Sequence, residues 1–508
     1  MHFPKLSEIV VVLILIYFLR SLKWICQVLH DICRQLKHTK NIGGPTALPL
    51  IGSAHHFMSR SSYDTIQYLL DEAKKVTDAG GSMMKIWIGP KMDIWILNAD
   101  SAKDILGSLT EITKGPAYEF FSRWLGKGTL IAKGDQWRKM RKMVTPTFHF
   151  GKIEEYAQTM DYHTRIMIDL LNKKPTNSQI DLYPLIKHCA LDIIADTAMC
   201  YKMNSQTEED TMYLKAVEEW SHLGWIQFQN PHYQMFGGFL WKLLGHEAKT
   251  VRTLKTLKSF TRNIVQERIE MLGSDLKNGH MEEKRNQNFL DMMLEHQSEN
   301  HLTMNELCTE VDTFIFAGHD TTTQAVSWVM WCLATHKDVQ EKLYQEIRTE
   351  FGCSDVEFWT KRIQELPYLD CCFKESNRLF PPVPFVQRRL ENDLVIDNQL
   401  IPRHTCILIP PCIMHMNEKV FPNPTHYDPD RFASGKQFDA YSYIPFLAGP
   451  RNCVGQAFAK RNARIMIAHL VFNFELSSDY KFEDNLPIPE SITQPSIGVP
   501  VKLKPRNL

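Results

Sequence analysis

No Cys-x-x-Cys pair and no Gly-x-Gly-x-x-Gly stretch occurs in this 508-residue chain. The first absence leaves a zinc ribbon or a thioredoxin-like redox site without support. The second leaves the chain without a nucleotide-binding fingerprint of its own. Net charge is also lacking, because 58 basic side chains face 58 acidic ones. No global field therefore favours nucleic acid or an acidic substrate, and any electrostatic docking must come from a local patch. The 12 cysteines form no evenly spaced framework, and Cys371-Cys372 is the only adjacent pair. Scattered free thiols fit a reducing compartment. What remains is ordinary for a globular protein with a large core, at 44% hydrophobic and 23% charged residues. The length suits two or three ordinary domains or one large one.

Uninterrupted apolar sequence is scarce too. The run Ile9 to Leu19 is short for a full membrane span. Extended from Leu6 to Leu29, with Arg20 and Lys23 snorkelling, it becomes long enough. A cleaved signal peptide is the competing reading. Arg20, Lys23, Arg34, Lys37 and Lys40 all follow the run, which keeps the C-terminal bulk cytosolic, and no small-x-small cleavage site follows. The reading preferred is an uncleaved signal-anchor over residues 1–30. A basic and Pro/Gly-rich linker follows over 31–52, ending in Gly43-Gly44-Pro45-Thr46-Ala47-Leu48-Pro49-Leu50-Ile51-Gly52. Residues 53–508 form the remaining domain. Lys85 to Leu97 reads as a hairpin about Gly89-Pro90, and Asp135 to Met143 as a helix. Residues 155 to 300 are mostly helical pattern, with a polar surface loop over Gly273 to Gln287.

Near the C-terminus, Phe446-Leu447-Ala448-Gly449-Pro450-Arg451-Asn452-Cys453-Val454-Gly455 reads as a tight loop turning into a helix from Gln456. Cys453 stands just ahead of the helix N-terminus, where free N–H groups and the helix dipole favour a thiolate. Such a thiolate suits a soft metal or a haem iron. A buried cysteine is more often only a small apolar residue. Yet Phe-x-x-Gly-x-x-x-Cys-x-Gly is expected by chance in roughly one such chain in a thousand. The loop resembles the haem-binding loop of the cytochrome P-450 superfamily, which implies Cys453 as axial ligand to haem iron, with Phe446 and Arg451 also at the cofactor.

The resemblance extends along the chain and implies a mainly helical fold with small sheets, one large haem domain behind an N-terminal membrane anchor. Trp137 and Arg141 lie at i and i+4 on one helical face, either as a stacked cation and indole or, as the family implies, as a contact to a haem propionate. Arg388 matches the second propionate contact, with its neighbour Arg389 left open. Leu307 to Leu333 reads as a helix in which Ala317, Gly318 and a cluster of threonines are poor helix design, the kind of conflict found at functional sites. Small residues there leave room for a diatomic ligand, and Thr321 can bond back to the Ala317 carbonyl. The family resemblance assigns Asp320 and Thr321 to the proton delivery that accompanies dioxygen cleavage. Glu375 and Arg378, with Arg431 downstream, resemble a buried structural network whose disruption costs about 3–5 kcal/mol and haem incorporation with it.

The stretch around Ala317 also resembles the family-4 branch, typified by fatty-acid ω-hydroxylases. Many of those carry Glu where this chain has Ala317, and that Glu forms an ester to haem, so non-covalent haem b is expected here. The implied reaction is monooxygenation of a fatty acid or related lipid, with electrons from NADPH through a cytochrome P-450 reductase and with cytochrome b5 as a further partner. Steroid or isoprenoid hormones and foreign compounds are the alternative substrates. The implied location is the endoplasmic reticulum membrane. Lys460, Arg461 and Arg464 form either a docking patch for the reductase or an ordinary solvated face. Trp220, Trp225, Phe228, Tyr233, Phe236, Phe239 and Trp241 form either a core cluster or a substrate roof touching lipid. Rival readings are an oxygen-independent haem-thiolate isomerase and a membrane-anchored haem sensor without turnover. Asp320 and Thr321 argue against the first, and the groove beside Ala317 and Gly318 against the second.

Overall fold

The computed structural model describes Lys23, Cys26, Gln27 and residues 29–49, 51–58, 60–89, 91–148, 150–208, 212–230, 233, 238–277, 288–299, 301–350, 359–433 and 438–506. The proposed anchor, apart from a few residues at its end, lies outside the described residues, as does Phe236. Among the described residues, no helix is long and apolar enough to cross a membrane.

Ile and Trp alternate with other residues on either side of the turn at Gly89, giving strands β1 (Met83–Ile88) and β2 (Lys91–Ile96), paired antiparallel as the sequence predicts. The long helices follow. They are α1 (Gly134–Val144), α2 (Phe150–Asn172), α3 (Leu182–Met199), α4 (Met212–Gln229), α5 (His246–Lys277), α6 (Phe289–Ser298) and α7 (Met304–Thr335). Strand β3 (Gln179–Asp181) separates α2 from α3. Helix α5 runs through Gly273 to Lys277, so the surface loop begins later than the composition of that stretch suggests. The glycine there meets no packing demand and is simply absorbed into the helix. The rest of the loop, 278–287, lies outside the described residues.

Helix α7 is the axis of the molecule. It starts at a reciprocal cap, in which Thr303 Oγ1 accepts from the Glu306 N–H and Glu306 Oε2 accepts from the Thr303 N–H. It is buried nearly all round, as its apolar sequence on every face requires. Its most extensive packing is against α3. A Cβ on Gly318 would lie 2.7 Å from Ile194 Cγ1 of α3, so this glycine sets the approach of the two helices. Further along, Trp328 donates to the Thr493 carbonyl at 3.0 Å and stacks on Phe380 with ring centroids 3.9 Å apart.

Helix α8 (Pro367–Leu379) begins with proline at its first position and ends before Phe380. Strands β4 (Val386–Arg389) and β5 (Cys406–Ile409) join the hairpin in a sheet of order β1-β2-β5-β4, with β2 and β5 parallel. Helix α9 (Gln456–Asn473) packs on α2 and α7, and β6 (Phe474–Ser477) and β7 (Pro500–Pro505) close a second sheet of order β3-β7-β6. The Pro/Gly-rich stretch is not a free spacer. The Lys85 N–H donates to the Gly43 carbonyl at 2.7 Å and the Ser53 N–H to the Trp87 carbonyl at 2.5 Å, so it lies along β1. Residues 29–38, which include the basic part of the linker, are helical.

Candidate functional site

The segment before α9 is closed by its own backbone. The Cys453 N–H donates to the Phe446 carbonyl at 3.0 Å and the Asn452 N–H to the Gly449 carbonyl at 3.2 Å. Gly449 has φ 73°, and a side chain there would meet the Leu106 carbonyl oxygen at 1.9 Å, so only glycine fits. The result presents Cys453 three residues ahead of α9. Its thiol is accessible, but only toward an internal cavity of about 350 Å³. Burial pushes the thiol up, while the Gly455 N–H and the Arg141 charge pull it back down.

The opposite wall of that cavity is α7, which contributes Thr313, Ala317, Gly318, Thr321 and Ala325. Thr321 Oγ1 donates to the Ala317 carbonyl at 2.7 Å, the back-bond expected from the sequence. Thr322 and Thr323 repeat it to Gly318 and His319 at 2.9 and 2.8 Å. Asp320 is buried and stands outside the cavity wall. Burial, and then the Asp320 charge, push the Tyr183 phenol well up.

A second group of side chains gathers at one edge of the cavity. Backbone bonds from Arg389 N–H to Thr113 at 2.9 Å and from Gly115 N–H to Gln387 at 3.2 Å lay Lys114 beside Arg388. Arg451 reaches the same place, donating to the carbonyls of Ile112, Leu130 and Ala132. Its guanidinium lies 5.3 Å from the centre of the Trp137 ring. Trp137 thus stacks on Arg451 and is not itself part of the cavity wall. Arg388 is buried just outside the residues that line the cavity, and its Nη2 has no hydrogen-bond partner among the described residues. Its neighbour Arg389 is exposed. Lys114 donates to the Tyr118 hydroxyl at 3.1 Å.

Three buried cations therefore stand together, with no carboxylate among the described residues to balance them. Burial, followed by the Arg388 and Arg451 charges, holds the Lys114 amine well below its usual value. Burial, followed by Arg388, pushes Arg451 down to about 9. A ligand bearing two carboxylates is what this cluster lacks, and haem beside a cysteine is such a ligand. The residues fit the group. Lys114 carries no sequence pattern that would have singled it out. Arg141 also lines the cavity and clamps the cysteine loop, with Nη1 and Nη2 on the Asn452 carbonyl and Oδ1, both at 2.8 Å.

Beneath the loop, Arg378 grips Glu375 with two bonds of 2.8 Å, and Arg431 adds a third at 3.3 Å. All three are buried. Arg378 also donates to the His415 carbonyl, and His415 Nε2 accepts from the Ile444 N–H, both at 3.0 Å, which leads into the cysteine loop. Of the basic residues after the loop, Arg464 is tied to Asp370 and Gln364, and Lys460 lies 5.5 Å over the Phe446 ring.

The aromatic cluster divides. Trp220 and Trp241 are core, Trp225 and Phe228 line the cavity, and Phe239 is exposed. Val383, Phe385 and Leu408 add apolar wall. Glu490 is the one carboxylate among the described residues that line the cavity, and His222 Nδ1 is 3.5 Å from it. Burial pushes the Glu490 carboxyl up, and His222 draws it back down.

A family model described as cytochrome P-450 matches residues 42–503. Cytochrome P-450 4V2 of Pongo abelii is 33% identical over 474 residues, covering 91% of this chain and 89% of that protein. The Homo sapiens protein of the same name is 32% identical over 473 residues, with 91% and 89% covered. Cytochrome P-450 4d1 of Drosophila melanogaster is 31% identical over 450 residues, with 85% and 87% covered.

Proposed function

Because the chain belongs to the cytochrome P-450 family and is a monooxygenase similar to its family-4 members, we propose that it hydroxylates a fatty acid or related lipid at or near the terminal carbon. The observation that carries the reading is the cavity, whose walls between Cys453 and Trp225 are mainly apolar and aromatic. Electrons come from NADPH through a separate reductase, since the chain has no nucleotide fingerprint. Cytochrome b5 is the further partner proposed. The location is the endoplasmic reticulum membrane, with the exposed Phe239, Leu243 and Leu244 as the surface that meets lipid.

When bound, haem b supplies the activation of dioxygen, from which one atom enters a C–H bond and the other leaves as water. Cys453 would hold its iron, and its propionates would meet Lys114, Arg141 and Arg451, which line the cavity, with Arg388 paired beside Lys114. Thr321 is one of several hydroxyls in the cavity wall, held toward the helix by its bond to Ala317. In this reading it passes a proton toward the reacting oxygen, with Asp320 behind it as the source. The apolar walls exclude water and orient the alkyl chain.

One observation favours a second substrate class. Glu490 would repel a carboxylate bound beside it, whereas a hydroxyl or amine would pair with it. Hormones and foreign compounds bear such groups. The test is turnover with NADPH, reductase and dioxygen on parallel panels of fatty acids, neutral lipids and hydroxylated or amine compounds. A terminally hydroxylated fatty acid is the expected product. NADPH oxidation stimulated only by the other panels would overturn the lipid reading and leave the monooxygenase standing.

A further inference from the structure

Away from the cavity, the turn between α6 and α7 gathers two imidazoles and a carboxylate. His296 sits in the last turn of α6, and the chain then folds back so that the N–H groups of His301 and Leu302 both donate to the His296 carbonyl, at 2.9 and 3.3 Å. Glu299 Oε2 is approached by His301 Nδ1 at 3.1 Å and by His296 Nδ1 at 3.9 Å. One ligand atom from each of the three side chains lies within 4.8 Å of the other two. His296 Nδ1 is itself buried and has no hydrogen-bond partner among the described residues, because 3.9 Å is beyond hydrogen-bond reach.

We propose that His296, Glu299 and His301 bind a borderline divalent cation of the zinc class, with water completing the coordination. Bonds of about 2.0–2.1 Å in a tetrahedron put neighbouring ligand atoms roughly 3.4 Å apart. The two separations from Glu299 Oε2 bracket that spacing. A cation between them gives the orphaned Nδ1 a partner. Two imidazoles select zinc, copper or nickel over calcium or magnesium. The C-terminal end of α6 adds the favourable end of a helix dipole to the Glu299 charge. The site also touches the rest of the molecule, since Lys139 of α1 donates to the His301 carbonyl at 2.7 Å. Occupancy fixes the turn that receives Lys139, two residues from both Trp137 and Arg141.

The test uses tag-free, chelator-stripped holoprotein dialysed to equilibrium against micromolar zinc chloride, with zinc counted per haem. One zinc is expected in the natural chain. His296→Ala and His301→Ala should each weaken binding at least tenfold. Binding should weaken as the medium is acidified, because zinc and protons compete for the same ligand atoms. The reduced carbon-monoxide spectrum of each variant reports its folding. If an alanine variant fails that control, Glu299→Gln, which keeps the shape and removes the charge, takes its place and is expected to bind more weakly. Equal zinc in folded variants and the natural chain, or none in any, overturns the proposal and leaves a surface ion pair of His301 and Glu299.

Discussion

Arg141 holds Asn452 at two points, one on the backbone carbonyl and one on the side-chain amide oxygen, and Asn452 is the residue before Cys453. The planar fork of a guanidinium can satisfy both acceptors at once, and a single ammonium cannot match that geometry. Arg141→Lys keeps the charge that draws the Cys453 thiol down but loosens the loop. One charged hydrogen bond is worth about 1.5–3 kcal/mol, so roughly tenfold faster loss of the thiolate-ligated form is expected. Following the red-shifted carbon-monoxide band over time at fixed temperature checks this. An unchanged decay would mean that the clamp does not govern the loop.

The cluster of Lys114, Arg388 and Arg451 predicts opposite effects on the two forms of the protein. Without a dianion these buried cations repel one another, and burial already pushes all three toward losing a proton. Lys114→Met removes one cation and keeps an apolar stem of similar length. The haem-free protein should become more stable, and haem should leave at least several-fold faster. Thermal unfolding of apoprotein and haem transfer to an excess of a scavenger protein measure the two separately. A variant that lost stability in both forms would place Lys114 in the fold and not at the cofactor.

Lys114 also shows where sequence reading stops. Cys453, Glu375 with Arg378, and Thr321 with Ala317 are each carried by a short local pattern whose spacing survives folding unchanged, whereas Trp137 and Arg141 find separate partners in Arg451 and Asn452. Helices α1, α7 and α9 were legible for the same reason, since each follows from local helical spacing. The bonds that complete the site join distant segments. Lys114 meets Arg388 only because residues 113–115 and 387–389 pair across the fold. Glu310 receives Thr129 across 181 residues. Neither has a spacing to find. The linker misled in another way, because proline and glycine report backbone conformation and say nothing of whether a stretch docks on a strand.

Ala317 bears on how the cofactor is attached. It lines the cavity and offers a methyl group where many family-4 members have a carboxylate, so no ester to haem can form from this position. Glu310, two turns earlier on α7, does not line the cavity and is engaged by Thr129. Extraction with acidified organic solvent should release all of the haem. Mass spectrometry of the residual chain should show the unmodified mass, and a chain heavier by the mass of haem would refute non-covalent binding.

Glu310 itself makes stability depend on pH. Its Oε1 accepts from the Thr129 N–H at 2.6 Å, and its Oε2 is buried without a partner among the described residues. Burial pushes the carboxyl up to about 7, against the lowering effect of the Thr129 bond. A raised carboxyl holds its proton in the folded state after the unfolded chain has released it. Folding is therefore most favoured at or below the unfolded value near 4.5, and stability falls as pH rises through the folded value. The interval of about 2.5 units corresponds to at most about 3 kcal/mol. Glu310→Gln keeps an acceptor for Thr129, places a neutral amide where Oε2 stands, and removes the titration. Compared with the natural protein, the variant should lose less stability between about pH 5 and about pH 8, and should gain relative stability at the alkaline end. Because Thr129 adjoins Leu130, whose carbonyl binds Arg451 at 3.0 Å, the same variant should also retain haem longer at that end. Denaturant unfolding at the two pH values measures the first effect and haem transfer the second. A variant whose stability difference matched that of the natural protein would show that Glu310 is ionised in the fold at neutral pH.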